Sequence, residues 1–372
     1  MENEFSSVIC VADMNIAKIV DQCLEDLALP EVFVQRAKQL SLADRQGFLG
    51  LRPGTKLVEN RASIYQMNVP SVYAQGMIRR IADATDLGMG GRGCVFSHRI
   101  DFHRGKPLVF DTERLDRICG KSDEQFQEKH ALINCVVPRG SGESLAQAML
   151  ELGVCVPVVF FGNGVGIRDR LGLLRIAIPV EKEILWLIVP RSDAELVEKT
   201  LIPRARLDVP GQGFMYKSFV HAPVVNLRIR QGKRIHAATM EQVIAALDEV
   251  HGSSHWRRLG SVRQGGGSEA KAVKMRGLFF IGDEEDAETF RRTAMENGAR
   301  GATNNNLEMR SYGNRAGGHA MESHSRELCD IIVTREVEEK LREPLAQKGL
   351  FAEGKSNVLK SFGVEMSSAV YR

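Results

Sequence analysis

Hydrophobic and polar positions along the chain predict one order of elements that occurs three times. Ser6–Ala12 (SSVICVA) has the composition of a short buried strand. Behind it, Ile16, Ile19, Val20, Cys23, Leu24 and Leu27 recur at helical spacing over Asn15–Leu29. Glu31–Val34 begins a second strand, and the polar, glycine-containing stretch Ala43–Asn60 separates it from a third at Ala62–Val69. Ser71 can then cap a helix that runs towards Asp86, and a glycine cluster, Gly88–Gly93, leads into the strand Cys94–Ile100. The order is β-α-β-loop-β-α-β.

It returns with the strand Ala131–Val137, the helix Ser144–Leu152 and the strand Val156–Phe161, followed by a loop that starts at Gly162. Glu183–Val189 is the next strand, Ser192-Asp193 opens a helix, and Gly211-Gln212-Gly213 precedes the strand Phe214–Val220. A third copy runs through Lys274–Ile281, the helix Asp286–Asn297, Leu307–Arg310 and a loop, Ser311–Ser325. It closes with Leu328–Val333, the helix Glu336–Gln347 and Val358–Met366, with Gly354-Lys355-Ser356 where the earlier copies carry glycine pairs. The expected units are 1–111, 130–231 and 272–372, joined by connectors 112–129 and 232–271. The second connector holds an amphipathic helix, Met240–Val250, and a Gly/Ser-rich tail, Gln264–Ser268. Such split β-α-β units pack as a four-stranded antiparallel sheet with two helices on one face. The expected class is therefore α+β, three tandem ferredoxin-like (βαββαβ) domains.

Composition narrows the class without naming the chemistry. The 372 residues are 43% hydrophobic, which is ordinary for a globular chain and excludes a disordered or collagen-like one. The longest apolar run, around Val154–Phe161, is strand-length, far below the ~18 residues of a membrane helix. MENEFSSVIC lacks a basic stretch followed by an apolar core, so no secretory leader is expected. Seven scattered cysteines, never spaced C-x-x-C, fit reduced and mostly buried thiols in the cytoplasm. Lys+Arg (50) nearly balance Asp+Glu (47), and Arg228–Arg234 (RIRQGKR) has no aromatic sheet motif beside it, so no nucleic-acid partner is expected.

Two segments match phosphate-loop patterns by letter. Gly349–Ser356 (GLFAEGKS) fits the Walker A pattern and Gly88–Gly93 (GMGGRG) fits G-x-G-x-x-G. Both patterns require a strand entering and a helix leaving, because the helix N-terminus presents the amides that hold phosphate. Each segment here leaves a helix and enters a strand, the reverse order. Glycines in such a turn serve as helix C-caps, and a row of exposed amides there can also form an anion nest. His319, Glu322 and His324 (HAMESH) lie in an expected loop, and His251 and His255 sit at the expected end of the connector helix. Neither group has metal-site spacing on a helix face. No G-x-S-x-G elbow or dense carboxylate cluster is present, so no catalytic residue is assigned.

The middle copy resembles the P-II nitrogen-regulatory family. Gly162–Arg170 (GNGVGIRDR), with Gly164, Gly166 and Arg168, stands where that family begins its long T-loop. Pro210–Tyr216 (PGQGFMY), with Gly211 and Gly213, is similar to its B-loop, and Asn226–Gly232 (NLRIRQG), with Arg228 and Arg230, to its C-terminal arginine segment. In the first copy Met89–Ser97, with Gly91 and Gly93, resembles the same B-loop, and His103–Lys106 (HRGK) is a weaker match to the arginine segment. In the third copy Arg310–Arg315 stands at a T-loop-like start. The resemblance implies an intramolecular pseudo-trimer of the three copies. It also implies a small anionic effector, ATP or ADP, held in an inter-domain cleft by Gly211, Gly213, Arg228 and Arg230. The Gly162–Arg175 loop would then engage a partner protein, a transporter or an enzyme. The lysine usual after the second B-loop glycine is Phe214 in the middle copy and Cys94 in the first. Two other classes stay open: a scaffold whose clefts bind no ligand, and an enzyme or metal-binding protein that uses an inter-domain cleft.

Overall fold

Strand β1 (Phe5–Asp13) is buried nearly end to end because both of its faces meet apolar neighbours. Val8, Cys10 and Ala12 pack under helices, while Ile9 and Val11 belong to a second core on the opposite face. The same logic runs through the whole computed structural model, which describes residues 4–45, 54–122, 127–166, 181–226, 228–231, 272–313 and 322–367. After β1 come α1 (Ala17–Asp26), β2 (Val32–Arg45), β3 (Gly54–Pro70), α2 (Ser71–Thr85) and β4 (Gly93–Arg104). A short helix, α3 (Thr112–Ile118), leads to β5 (His130–Pro138), α4 (Gly142–Leu152), β6 (Val158–Gly166), β7 (Glu181–Pro190), α5 (Ala194–Arg204) and β8 (Phe214–Val224). The two-residue β9 (Arg230–Gln231) follows, then β10 (Ala272–Gly282), α6 (Glu284–Glu296), β11 (Gly301–Ser311), β12 (Glu322–Val333), α7 (Arg335–Gln347) and β13 (Val358–Ser367).

The strands correct the expected fold class. They do not stand as three separate ferredoxin-like domains, and the pseudo-trimer picture drawn from them is not retained. Among the described residues they form one 13-stranded sheet, ten strands of which close as an antiparallel β-barrel, and the two-residue β9 pairs β2 in parallel. An isolated four-stranded sheet would leave two edges of unpaired N–H and C=O groups. Here those edges are joined: β4 pairs β8 and β13, and β2 pairs β6 and β11. Three sets of four neighbouring strands can still be traced in the closed sheet, β2-β3-β1-β4, β6-β7-β5-β8 and β11-β12-β10-β13, and are called the first, second and third sets below.

Several boundaries also move. All the described residues of the stretch expected as a separator, 43–45 and 54–60, are strand, since β2 and β3 pair from Phe33–Gln66 out to Arg45–Gly54. Strand β6 continues through Gly162 to Gly166, and β11 begins at Gly301. Helix α3, in a stretch read only as a connector, packs Leu115 into the first set's core. The Met240–Val250 and Gln264–Ser268 segments lie outside the described residues. Among the described residues no helix is long and apolar enough to cross a membrane, which says nothing of strands.

Three apolar cores lie between helices and sheet, and two more fill the barrel. Helix α1 buries Val20, Cys23 and Leu24, the i, i+3, i+4 stripe read from the sequence. Helix α6 is capped by Asp283, whose carboxylate accepts from the Asp286 amide at 2.9 Å, with acidic residues in its first turn. The barrel interior also carries polar groups from all three sets. Asn134 Nδ2 donates to the Tyr216 hydroxyl (2.6 Å), which donates to Asp330 Oδ2 (2.8 Å), and Lys360 Nζ donates to Gln66 Oε1 (3.0 Å). Burial pushes Asp330 up to about 7 and Lys360 down to about 8.

Candidate functional site

The three helix-to-strand turns share a backbone pattern. A left-handed residue ends the helix at Asp86 (φ 47°), Arg206 (φ 52°) and Gly349 (φ 67°), and five residues later Gly91, Gly211 and Gly354 have φ of 96°, 89° and 90°. Gly93 and Gly213 follow at 144° and 138°. A Cβ on Gly93 would overlap the Val11 carbonyl oxygen, and one on Gly213 the Val136 carbonyl oxygen. Glycine is required at both by the close approach of the neighbouring strand.

The turns differ in what meets them. The first set's turn receives the segment that follows β8. Asn226 Oδ1 accepts from the amides of Gly91 (2.9 Å) and Arg228 (3.1 Å), and Asn226 Nδ2 donates to Gln39 Oε1 (2.7 Å). The Arg228 side chain lies over the glycines: a Cβ on Gly90 would stand 3.2 Å from Arg228 Cβ, and one on Gly91 2.9 Å from its Cδ. Ile229 is buried in the second set's core, and its carbonyl accepts from the Leu42 amide at 2.7 Å, which anchors the segment. Arg228 itself is exposed, and its guanidinium makes no ion pair among the described residues.

A cleft of about 640 Å³ opens here, lined by the Met89–Arg92 turn, Gln39, Ser41, Asn60, Asn226 and Arg228, with Ile16, Ile19 and Val156 as its apolar wall. Gln39 Nε2 is a buried donor with no partner among the described residues. One carboxylate, Asp13, also lines the cleft and accepts from the Asn15 amide at 2.9 Å. An anion would therefore seat at the Arg228 and Gln39 end, where donors are in excess.

The structure regroups the residues chosen from the sequence. Gly91 and Arg228, taken from different copies, meet. Gly211 and Gly213, expected beside Arg228, sit in the second set's own turn and do not line this cleft. Gly93 backs β1 rather than the cleft. Arg230 pairs through its backbone with Leu42, and its side chain lies outside the described residues, as does all of Arg168. Gly164 and Gly166 are strand residues, opposite Thr303 and Gly301 of β11. The Gly162–Arg175 loop is thus strand up to Gly166 and lies outside the described residues beyond it. Asn226 opened the arginine segment in the sequence, but Gln39, in a stretch with no motif, had no signal to mark it.

Other candidates fall elsewhere. The Walker-like Lys355 donates to Asp286 at 2.6 and 2.9 Å, and Ser356 Oγ accepts from Arg326 at 2.9 Å. The turn also leads into β13 and not into a helix. His319, His251 and His255 lie outside the described residues, while His324 is on β12 opposite Met309. Among the described residues no three His, Cys, Asp or Glu side chains group as metal ligands. All seven thiols are free and six are buried. Burial pushes Cys94, Cys135 and Cys155 up to about 12, far from a nucleophilic thiolate at neutral pH.

No protein-family model matches the chain, and no curated protein does. A solved structure titled "Crystal structure study of anthrone oxidase-like protein" aligns over 66% of this chain and 96% of its own, at 9% identity and a TM-score of 0.17. That likeness is too slight to carry an argument.

Proposed function

We propose that this chain is a P-II-like cytoplasmic regulatory protein that takes a small anionic effector in the cleft between the Met89–Arg92 turn and Arg228, and through it controls a partner protein. One observation carries the reading: Arg228, from the segment after β8 and without an ion pair among the described residues, lies directly over the glycine turn of the first set. Asn226 fixes that approach from both sides. A guanidinium over a turn whose glycines admit it, beside an unpartnered Gln39 donor, suits a phosphate or carboxylate.

Calorimetric titration with ATP, with ADP and with inorganic phosphate tests this. The intact chain is expected to bind ATP or ADP, and Arg228→Ala to weaken that binding by about tenfold or more, the loss of one charge-assisted hydrogen bond. Absence of binding, or unchanged affinity in a folded Arg228→Ala protein, removes the assignment. The effector acts on a partner only if it binds one state of the chain better than another.

A further inference from the structure

A second groove, next to the first along β2 and β3 but sharing none of its lining residues, has the chemistry of a binding site. Strands β2, β6 and β11 converge but pair only briefly. β2 meets β6 at Lys38–Val159 and Gln39–Val158, β11 meets β2 over Glu308–Arg310, and β11 meets β6 over Gly301–Asn304. Over the gap between these pairings lies a groove of about 1150 Å³.

Three features of its wall ask for a ligand. Lys182 is only 8% exposed and lines the groove, and its ammonium has no ion-pair partner among the described residues. Gly164 makes room for that side chain, since a Cβ there would stand 2.7 Å from Lys182 Cε. A buried cation without a counter-charge is costly, and burial accordingly lowers the Lys182 pKa. On the rim Arg36 and Arg61 are exposed and likewise make no ion pair among the described residues. By contrast Arg310 is committed to Asp21 and Glu308, each at 2.9 Å.

The second feature is a pair of acceptors. Gln35 and Asn304, 5% and 6% exposed, line the same groove, and Gln35 Oε1 and Asn304 Oδ1 have no donor among the described residues. A bare anion would pair the cations and leave these oxygens unbonded, whereas a ligand that also brings hydrogen-bond donors would satisfy them after a small side-chain rotation towards the groove. The third is Phe161, 48% exposed, with Lys38 and Arg139 each 5.8 Å from its ring centroid. It offers an apolar face between charges.

We infer that this groove binds a phosphorylated sugar or polyol. Its phosphate pairs with Lys182 and the rim arginines, its hydroxyls donate to Gln35 and Asn304, and its carbon face lies on Phe161. The site is separate from the Arg228 cleft and does not depend on that reading.

The test is calorimetry on the full chain with fructose 1,6-bisphosphate, glucose 6-phosphate and inorganic phosphate as probes. A sugar phosphate is expected to bind at least about tenfold more tightly than inorganic phosphate. Lys182→Met should weaken it by about tenfold or more, the loss of one charged hydrogen-bonding partner. The Arg36→Ala/Arg61→Ala double variant, altered only at exposed positions, should weaken it severalfold and serves should Lys182→Met not fold. Gln35→Leu should weaken the sugar phosphates while leaving inorganic phosphate unchanged, and the sugar phosphates should still bind the Arg228→Ala protein. The inference is overturned if neither sugar phosphate binds, if the Lys182 and arginine variants bind as the parent does, or if Arg228→Ala abolishes the binding.

Discussion

Arg104 and Arg228 stand at comparable places and end in opposite states. Each belongs to a segment that leaves a strand of one set and runs to the glycine turn of another. Arg104, the last residue of β4, has a buried side chain that donates from Nη1 to both oxygens of Glu31, at 2.7 and 2.8 Å. The residues after it close onto the third set's turn: a Cβ on Gly105 would stand 2.7 Å from the Ala352 carbonyl oxygen, and the Lys106 amide donates to the Lys355 carbonyl at 3.0 Å. Arg228 reaches the first set's turn and ion-pairs with no carboxylate among the described residues, although Asp13 lines the same cleft. An arginine that finds a buried acid becomes part of the scaffold, whereas one that finds only amides and an amide side chain stays available. The turn conformation is nearly the same in both, so the counter-charge decides the role.

The contrast can be broken most directly at Arg104. Arg104→Ala strands the buried Glu31 carboxylate and is expected to cost about 3–5 kcal/mol in urea denaturation, against no more than about 0.5 kcal/mol for Arg228→Ala. Equal losses would erase the distinction. The turns themselves should separate next. Gly93→Ala combines backbone strain of about 1–3 kcal/mol with a clash against Val11, whereas Gly354, with open space around it, should cost only about 1 kcal/mol as Ala. Thermal and chemical melts of the two variants measure the difference.

A third effect, spread over several pH units, tests whether the sets are joined through the barrel interior. Asp330 titrates near 3.8 when unfolded and near 7 when buried, so the folded chain holds its proton across that window. Its contribution to stability is complete below the lower value and is lost as pH rises towards 7, with a slope of at most about 1.4 kcal/mol per pH unit. Lys360 behaves oppositely at higher pH: buried near 8 against 10.5 unfolded, it makes stability rise between those values. Asp330→Asn should remove the first slope and leave the second. Stability–pH curves from denaturant titration would show it, and an unchanged low-pH limb would assign that slope to other groups.

The element order was legible because its signals are local. Apolar residues at helical spacing in α1, and near-continuous apolar runs such as Leu132–Val137, reflect burial that each segment carries in its own pattern. The polar half of the β2–β3 hairpin was not legible. Lys56, Glu59 and Asn60 stay in strand because cross-strand backbone bonds hold them where side chains are not buried. Glycines 162, 164 and 166 read as a loop for a similar reason, although β6 keeps them where Asn305, Lys182 and β11 come close.

The candidate site was half legible. Its glycine turn and its arginine segment could each be recognised, but they were assigned to the wrong partners. A turn's φ angles depend on a handful of neighbouring residues, so the sequence by itself determined that the three turns exist and that Gly91 and Arg228 carry unusual demands. Which turn meets which arginine depends on how the edge strands pair across the barrel. That pairing joins residues more than a hundred positions apart, such as Gly91 and Asn226. Backbone hydrogen bonds at a strand edge are nearly indifferent to side-chain identity, so the local pattern does not encode the partner. The tertiary structure alone closed the sheet, tied Arg104 to Glu31, and left Arg228 and Lys182 without an ion pair among the described residues.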